Sequence, residues 1–415
     1  MDNPGTDPRV GVMDTQSDIL IVGGGLNGPA LALALAQAGP SVTLIDAQPA
    51  RARAEAAFDG RAYALSIASR RLLQAIGVWP GLAGLSQPIL RIRASDGRLG
   101  EGASPLALDF LAAEIEDGAM GHMVEDRHLY AAFLAAISAT PGIEHVPGVT
   151  VTGQTADGSG ISVTLSDGTT RRGRMLAGCD GRASGTAARA GIRRTGHGYG
   201  QTALVCAVDH DLPHGGTAQQ FFMPGGPLAI LPLPGNRSSI VWSEEEDAAR
   251  AIAALPDDAF LALLAERFGD HLGAIRLAGP RFSYPLSLSL ADSYVAPRLV
   301  LVGDAAHGVH PIAGQGLNLG LRDVGALAEV LVLAARRGED IGAADVLARY
   351  QTWRRFDATA LALGMDRVNS LFSNDNPVLR AARDIGLGVV NALPGLRRGF
   401  IRQAAGLAGD VPRLL

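Results

Sequence analysis

Asp18-Ile-Leu-Ile-Val-Gly-Gly-Gly-Leu-Asn-Gly28 is the stretch that decides the fold. The apolar run from Ile19 to Val22 does not alternate with polar residues, as expected of a parallel strand buried on both faces. Gly23, Gly25 and Gly28 then spell G-x-G-x-x-G, Pro29 to Gln37 reads as a helix, and Ser41-Val-Thr-Leu-Ile45 is a second strand ending at Asp46. Strand, glycine turn, helix, strand and an acid about 20 residues on together form the dinucleotide-binding fingerprint. Gly23 makes the turn, Gly25 lets backbone meet a pyrophosphate, Gly28 lets the helix pack close, and Asp46 accepts from a ribose hydroxyl. The same apolar stretch, continued to Ala38, is broken at Gly23, Gly24, Gly25, Gly28 and Pro29, which suits strand–turn–helix and not a membrane span.

A second loop of related design stands far down the chain. Leu299-Val-Leu-Val302 reads as a buried strand that delivers Gly303-Asp304. A glycine-rich loop with Gly308, Gly314 and Gly316 follows, stiffened by Pro311, and a helix begins near Gly316 or Leu317. An acid beside bare backbone amides at a helix start holds an anionic or hydrogen-bonding ligand. Glycines let that backbone approach a flat molecule without interference from a Cβ.

At 415 residues, 47% hydrophobic and 19% charged, the chain has room for two domains and a substantial core. All 36 basic residues are Arg, the net charge is −5, and no dense basic tract occurs, which argues against a nucleic-acid partner. Cys179 and Cys206 lack disulfide or metal-ligand spacing and fit a reducing cytosol. The nine His are scattered, and the nearest pair, His307 and His310, has no acidic or Cys partner beside it, so no structural metal is expected. Met1 to Ser17 is polar, carries Pro, Gly and Asp, and reads as a loose tail without a secretory leader.

Working along the chain, Phe58 to Ser66 leads into a helix from about Ile67 to Ile76, and Ile89 to Leu99 has the signal of a hairpin turning at Asp96-Gly97. Arg61 stands beside the nucleotide site, and Met123 to Ile137 holds a helix with Arg127 in its first turn. Gly148 to Gly178 is a β-meander whose last strand ends in Cys179-Asp180-Gly181. Thr202–Val208, Gln219–Met223, Leu228–Pro232 and Ser238–Trp242 are strand-like runs between Pro-Gly turns and make a separate antiparallel sheet. A helix over Pro256 to Phe268 follows. After Asp323 the chain is helical: Ala348 to Phe372, Val378 to Leu393 and Leu396 to Leu407. The last two helices carry Arg380, Arg383, Arg397, Arg398 and Arg402 beside apolar residues. Two readings of them stand, a basic amphipathic surface for a membrane or partner, and helices packed on their own domain with solvated Arg.

The ordered marks Gly23 to Gly28, Cys179-Asp180-Gly181 and Gly303-Asp304 resemble the class A flavoprotein monooxygenases of the p-hydroxybenzoate hydroxylase fold. Within that class, Asp59-Gly-Arg-Ala-Tyr-Ala-Leu-Ser66, Gly226-Pro-Leu-Ala-Ile-Leu-Pro232 and His310-Pro-Ile-Ala-Gly-Gln-Gly-Leu-Asn-Leu-Gly-Leu-Arg-Asp323 look like the ubiquinone-biosynthesis hydroxylases of the 2-polyprenyl-6-methoxyphenol hydroxylase type. The resemblance covers nearly the whole chain after Ser17. It implies an α/β fold: a discontinuous Rossmann-like FAD-binding domain (18–77, 99–190, 290–345), an inserted antiparallel-sheet substrate domain (78–98, 191–289) and C-terminal helices (346–415), after a flexible tail (1–17).

The resemblance also implies FAD as cofactor. The N-terminal glycines would take its pyrophosphate and Asp46 its adenosine ribose. Arg61, Arg127 and Asp180 would lie along the cofactor, Gly303 and Asp304 at the ribityl or pyrophosphate region, and Pro311, Gly314, Gln315, Gly316, Leu317 and Asn318 at the flavin edge. A helix N-terminus there stabilises the anion of reduced flavin. NAD(P)H would visit transiently to reduce the flavin, O2 would give a C4a-hydroperoxide, and its distal oxygen would pass to the ring of a prenylated phenol. No side-chain acid or base is assigned. Phe221, Phe222, Tyr284 and Pro311 are candidates to line the ring pocket. The same resemblance leaves a hydroxylase of a small non-prenylated phenol, and a flavin-binding subunit that holds a biosynthetic complex together, as alternatives. It implies a cytoplasmic protein, with the inner-membrane surface and other ubiquinone-biosynthesis proteins as contacts. Two departures from the pattern stand out: Asp46 replaces the usual Glu, and Ala187 sits where many members carry Arg, with Arg189 the nearest.

Overall fold

The computed structural model describes residues 15–50, 58, 60–98, 102–103, 107–115, 118–309, 314–372 and 393–415. The fingerprint strand is Thr15–Val22, so residues 15–17, expected in the tail, already pair with Arg171–Gly173. Parallel neighbours order the main sheet as Ile143–Pro147, Val42–Asp46, Thr15–Val22, Thr170–Gly178 and Leu299–Leu301. Ile19, Leu20, Ile21, Leu44, Leu176 and Val300 are wholly buried, which is why these strands are continuous apolar runs. Their registers align Val22 with Ile45 and Gly178, and Gly178 with Leu301. The loops at Gly23, Asp46, Cys179 and Gly303 therefore emerge along one carboxyl edge, where open α/β sheets bind ligands. The helix Asn27–Ala36 is buried from Gly28 to Leu35 and packs on the sheet and on the helices Asp126–Ala139 and Gln315–Arg336.

The second sheet is built on the long strand Arg194–His210. Arg237–Glu245 pairs on one side and Phe282–Ala291 on the other, and Gly226–Leu233, Thr217–Met223 and Arg91–Arg98 follow outward. The expected hairpin at Asp96-Gly97 is not there. Asp96 pairs with Phe222 inside a strand parallel to Thr217–Met223, and the return comes past Arg98, where Gly97 and Arg98 face Ala103 and Gly102. Pairing with a distant strand outweighs the local turn preference. Leu108–Leu111 also joins this sheet, against Arg91–Ala94. The helix Glu246–Ala253, absent from the sequence reading, and Asp257–Phe268 cover one face. Phe221 packs there with Leu204, Trp242 and Phe260, so it is a core residue on the helix-covered face and leaves the list of ring-pocket candidates.

A small sheet joins Ala62–Ser66, Gly121–Glu125 and Gln87–Ile89. His122 lies on its central strand with its ring edge-on to Trp79 at 4.9 Å. Burial, and then the positive charge of Arg70, push its pKa down to about 4. The unfolded chain, with a histidine near 6.5, binds the proton first. Stability contributed by neutral His122 is therefore present above pH ~6.5 and lost as pH falls towards about 4. His122→Phe should flatten that part of the stability–pH curve in denaturant titrations; an unchanged slope would remove His122 as its cause.

The long helices Gln315–Arg336 and Ala344–Phe372 lie side by side, and Val346, Leu347, Tyr350 and Ala358 enter the same core as the parallel sheet. The final helix Pro394–Ala404 and the chain after it are tied down as well. Ala68 N–H donates to Ala405 O, Arg322 to Ala408 O and Trp353 Nε1 to Asp410 O, while Leu415 packs over Gly325. Arg397 pairs with Glu114 at 2.7 Å. The expected helix Val378 to Leu393, with Arg380 and Arg383, lies outside the described residues apart from Leu393, and His310 and Pro311 lie outside them too. Among the described residues, no helix is long and apolar enough to cross a membrane.

Candidate functional site

Four loops at the carboxyl edge make the site, and their glycines divide into two kinds. Gly23 has φ +113°, and a Cβ there would overlap the Cys179 carbonyl and stand 2.8 Å from Asp180 N. A Cβ on Gly24 would collide with the Asp46 carboxylate, and one on Gly28 with the Gly23 carbonyl. These three positions are required by the protein's own packing. Gly25 is different: among the described residues, a Cβ there would meet nothing within 4 Å. The helix Asn27–Ala36 begins directly after, without a side-chain cap, so its first N–H groups and the positive end of its dipole face this space.

Asp46 is buried at the end of its strand. Its Oδ1 accepts from Gln48 N at 3.0 Å and its Oδ2 from Tyr130 Oη at 3.0 Å. A carboxylate offers about four acceptor positions, so two hydroxyl donors can still be received. Arg61 and Arg127 stand at the end of the small sheet, each against an acid. Arg61 is 3.4 Å from Asp126, whose Oδ1 also accepts from Tyr63 Oη at 3.2 Å. Arg127 Nε donates to Glu125 at 2.8 Å, and its guanidinium lies 5.6 Å from the Phe58 ring centre.

The third and fourth loops are braced against each other. Asp180 turns its carboxylate onto its own loop, accepting from Ser184 Oγ at 2.5 Å and Thr186 N at 2.9 Å. Arg182 crosses to the fourth loop, donating to Asp304 Oδ2 at 3.2 Å and Val309 O at 2.8 Å. Arg194 donates to the carbonyls of Asp304 at 3.0 Å and Ser289 at 3.2 Å, and to Ala305 O, joining the fourth loop to the second sheet. His307–Gly308 continues that junction as a strand against Ser289–Leu290. The Asn27 side chain is wedged between Gly303 and Gly320, where a Cβ on either would overlap it, so it ties the first loop to the fourth.

The helix of the fourth loop starts at Gln315 with Gly314 as N-cap, at φ +62° and without a capping side chain. Gly314 is pressed against Ala64, where a Cβ would sit 3.2 Å away, whereas among the described residues a Cβ on Gly316 would meet nothing within 4 Å. Asn318 is occupied by the protein through its side chain. Its Oδ1 accepts from Ser66 N at 2.9 Å and Ser69 Oγ at 2.7 Å, and its Nδ2 donates to Ala64 O at 2.8 Å and Gly314 O at 3.1 Å. The helix start is thereby locked to the strand Ala62–Ser66, and Gln315 to Leu317 form its electropositive first turn.

Of the ring-pocket candidates, Phe222 alternates away from Phe221 and so faces opposite to the helices. Tyr284 is 42% exposed and stacks on Phe282 at 6.5 Å. Among the described residues there is no group of His, Cys, Asp and Glu able to hold a metal. Asn27, Arg182, Arg194 and Arg354 were missed from the sequence, where an asparagine in a glycine loop or an isolated arginine carries no signal of a buried bracing role.

Two open glycines, Gly25 and Gly316, each at an uncapped helix start, leave room where backbone can meet a ligand, one loop suited to a diphosphate and the other to a flat ring. An extended flavin dinucleotide fits that cradle. Residues 16–362 match the FAD binding domain family. The chain is 48% identical over 413 residues to the ubiquinone hydroxylase UbiL of Rhodospirillum rubrum, covering 99% of this chain and 95% of that one. It is 37% identical to the 3-demethoxyubiquinol 3-hydroxylase of Escherichia coli, covering 94% and 99%. The crystal structure of p-nitrophenol 4-monooxygenase PnpA from Pseudomonas putida superposes with a TM-score of 0.80 at 19% identity, over 96% of this chain and all of that one. That likeness establishes the shared fold.

Proposed function

The chain belongs to the ubiquinone-biosynthesis hydroxylases of the FAD-binding-domain family, and we propose that it hydroxylates the phenolic ring of a prenylated ubiquinone precursor with O2 and NAD(P)H. It is an FAD-dependent monooxygenase. Bound FAD would supply the redox step with O2, and this chain's residues do the holding. Gly25 and the start of the helix Asn27–Ala36 take the pyrophosphate, and Asp46 the adenosine ribose. Asp304 meets the ribityl chain, and the amides of Gln315, Gly316 and Leu317 meet the pyrimidine edge of the ring. Phe222 and Tyr284 line the approach of the phenol. The observation that carries this reading is the pair of open glycines, one in each ligand loop, in a chain with this kinship.

A prenyl tail belongs in lipid. Phe356 and Phe400, exposed 81% and 54% on the helices Ala344–Phe372 and Pro394–Ala404, are the apolar side chains we assign to contact with the inner-membrane surface. Other proteins of ubiquinone biosynthesis are the expected neighbours there. Purified protein is expected to be yellow and to oxidise NAD(P)H only when a phenol is added. Yellow protein that never oxidises NAD(P)H would instead make it a flavin-binding member of a complex. Equal turnover with prenylated and unprenylated phenols would make it a small-phenol hydroxylase.

A further inference from the structure

Beneath the fourth loop lies a charged cluster without solvent contact. Asp323, His307 and Arg354 have wholly buried side chains. Three donors converge on the Asp323 carboxylate: Gly303 N at 3.0 Å and His307 Nε2 at 2.5 Å on Oδ2, and Arg354 Nε at 2.8 Å on Oδ1. Among the described residues, His307 Nδ1 has no hydrogen-bond partner, and Nε2 carries the proton that faces the carboxylate. Burial alone would raise the Asp323 carboxyl, but His307 and Arg354 hold it below the usual carboxylate range, so the acceptor is ionised.

The placement of these donors is informative. Gly303 and His307 flank Asp304, the acid of the turn Gly303–Ala305. Asp323 itself rides on the helix that begins at Gln315, so eight residues of rigid helix, roughly 12 Å, separate it from the open amides. One carboxylate thus fixes both devices expected to touch the cofactor, the Asp304 turn and the helix start. Arg354 neutralises it from the neighbouring helix and is held in turn by Asp357 at 2.5 Å.

We propose that Asp323 and His307 are positioning residues that set the spacing between Asp304 and the helix-start amides, and through it the electronic environment of the flavin. This rests on the FAD reading of the site. Protein geometry around a cofactor must hold to within a fraction of an ångström to keep its electrostatic effect. Freed of the His307 bond, the Asp304 turn can shift against the helix start, and the amides no longer meet the ring at the same distance.

The test compares His307→Leu, which removes the donor, with His307→Gln, whose amide can donate to the same oxygen. All proteins are saturated with FAD, and the readouts are the midpoint potential and visible spectrum of the bound flavin, with the FAD Kd. His307→Leu is expected to shift potential and band positions and to weaken FAD binding by about ten- to a hundredfold, the worth of a buried hydrogen bond to a charged group. His307→Gln is expected to restore all three. Should the leucine variant fail to fold, His307→Asn, too short to reach the carboxylate, is expected to behave as the donor-less protein. A donor-less variant with wild-type potential and spectrum overturns the proposal, as does a glutamine variant that remains as altered as the leucine one. Wild-type protein that takes up no FAD refutes the cofactor reading itself, before any variant is compared.

Discussion

Gly316→Val is expected to yield a folded protein that purifies without colour. Among the described residues, a Cβ at this position meets no atom outside the local helix backbone within 4 Å, and the residue lies in the first turn of the helix Gln315–Arg336. Valine is a slightly better helix residue than glycine, so the fold has no reason to suffer. Its methyl groups would occupy the space where backbone amides are to meet the flavin edge. Losing two hydrogen bonds to a partly charged acceptor costs about 3 kcal/mol, or a hundredfold or more in FAD affinity. The check is the flavin-to-protein absorbance ratio after desalting, beside the melting curve of the flavin-free protein. Full FAD content in the variant would remove Gly316 from the site, and a collapsed melting temperature would mean that the open space is used by the protein.

Gly23→Ala, seven residues before the first helix turn is complete at Ala30, should do the reverse. Here the φ of +113° excludes a side chain, and the added methyl overlaps the Cys179 carbonyl. Gly23 N also donates to Ile45 O at 2.9 Å, so the residue cannot move without loosening two neighbouring strands. Backbone strain of roughly 1–3 kcal/mol adds to the steric cost, and a total loss on the order of 3 kcal/mol or more follows. Thermal denaturation of flavin-free Gly23→Ala protein should show a large drop in melting temperature or insoluble protein. A variant of unchanged stability that had merely lost FAD would assign Gly23 to the ligand instead of the packing. Together the two substitutions separate the glycines that the fold needs from those that the cofactor needs.

Part of that separation was legible in the sequence, where the G-x-G-x-x-G spacing gave Gly23 to the turn, Gly25 to a ligand and Gly28 to helix packing, while Gly24 carried no role and Gly314 and Gly316 read alike. The strand–turn–helix around them was legible because it is local: an apolar run, a glycine turn and an apolar helix follow one another within 19 residues, Asp18 to Ala36. The fourth loop was legible for the same reason, and its helix begins at Gln315, one residue from the expected start. Where partners are distant in sequence, the reading failed. Asp96-Gly97 has the composition of a turn, but Thr217–Met223 supplies a strand partner more than a hundred residues away. Phe221 and Phe222 are adjacent, and only the helices over one face place Phe221 in their core. Arg182 and Arg354 carry no signal in the sequence, because Asp304 and Asp323 are brought to them only by the fold. Asn318 was expected to offer its backbone to the flavin, and the structure shows its side chain spent on locking the helix start.

Oxygen transfer to a prenylated ring can be followed directly. FAD-loaded protein would be supplied with NAD(P)H and a short-chain prenylated phenol under isotopically heavy O2, and the product weighed by mass spectrometry. The expected product is the ring-hydroxylated phenol carrying one heavy oxygen atom from the gas. Phenol recovered unchanged while NAD(P)H is consumed, or a new hydroxyl whose oxygen comes from water, would contradict the assignment of this chain as a monooxygenase of that ring.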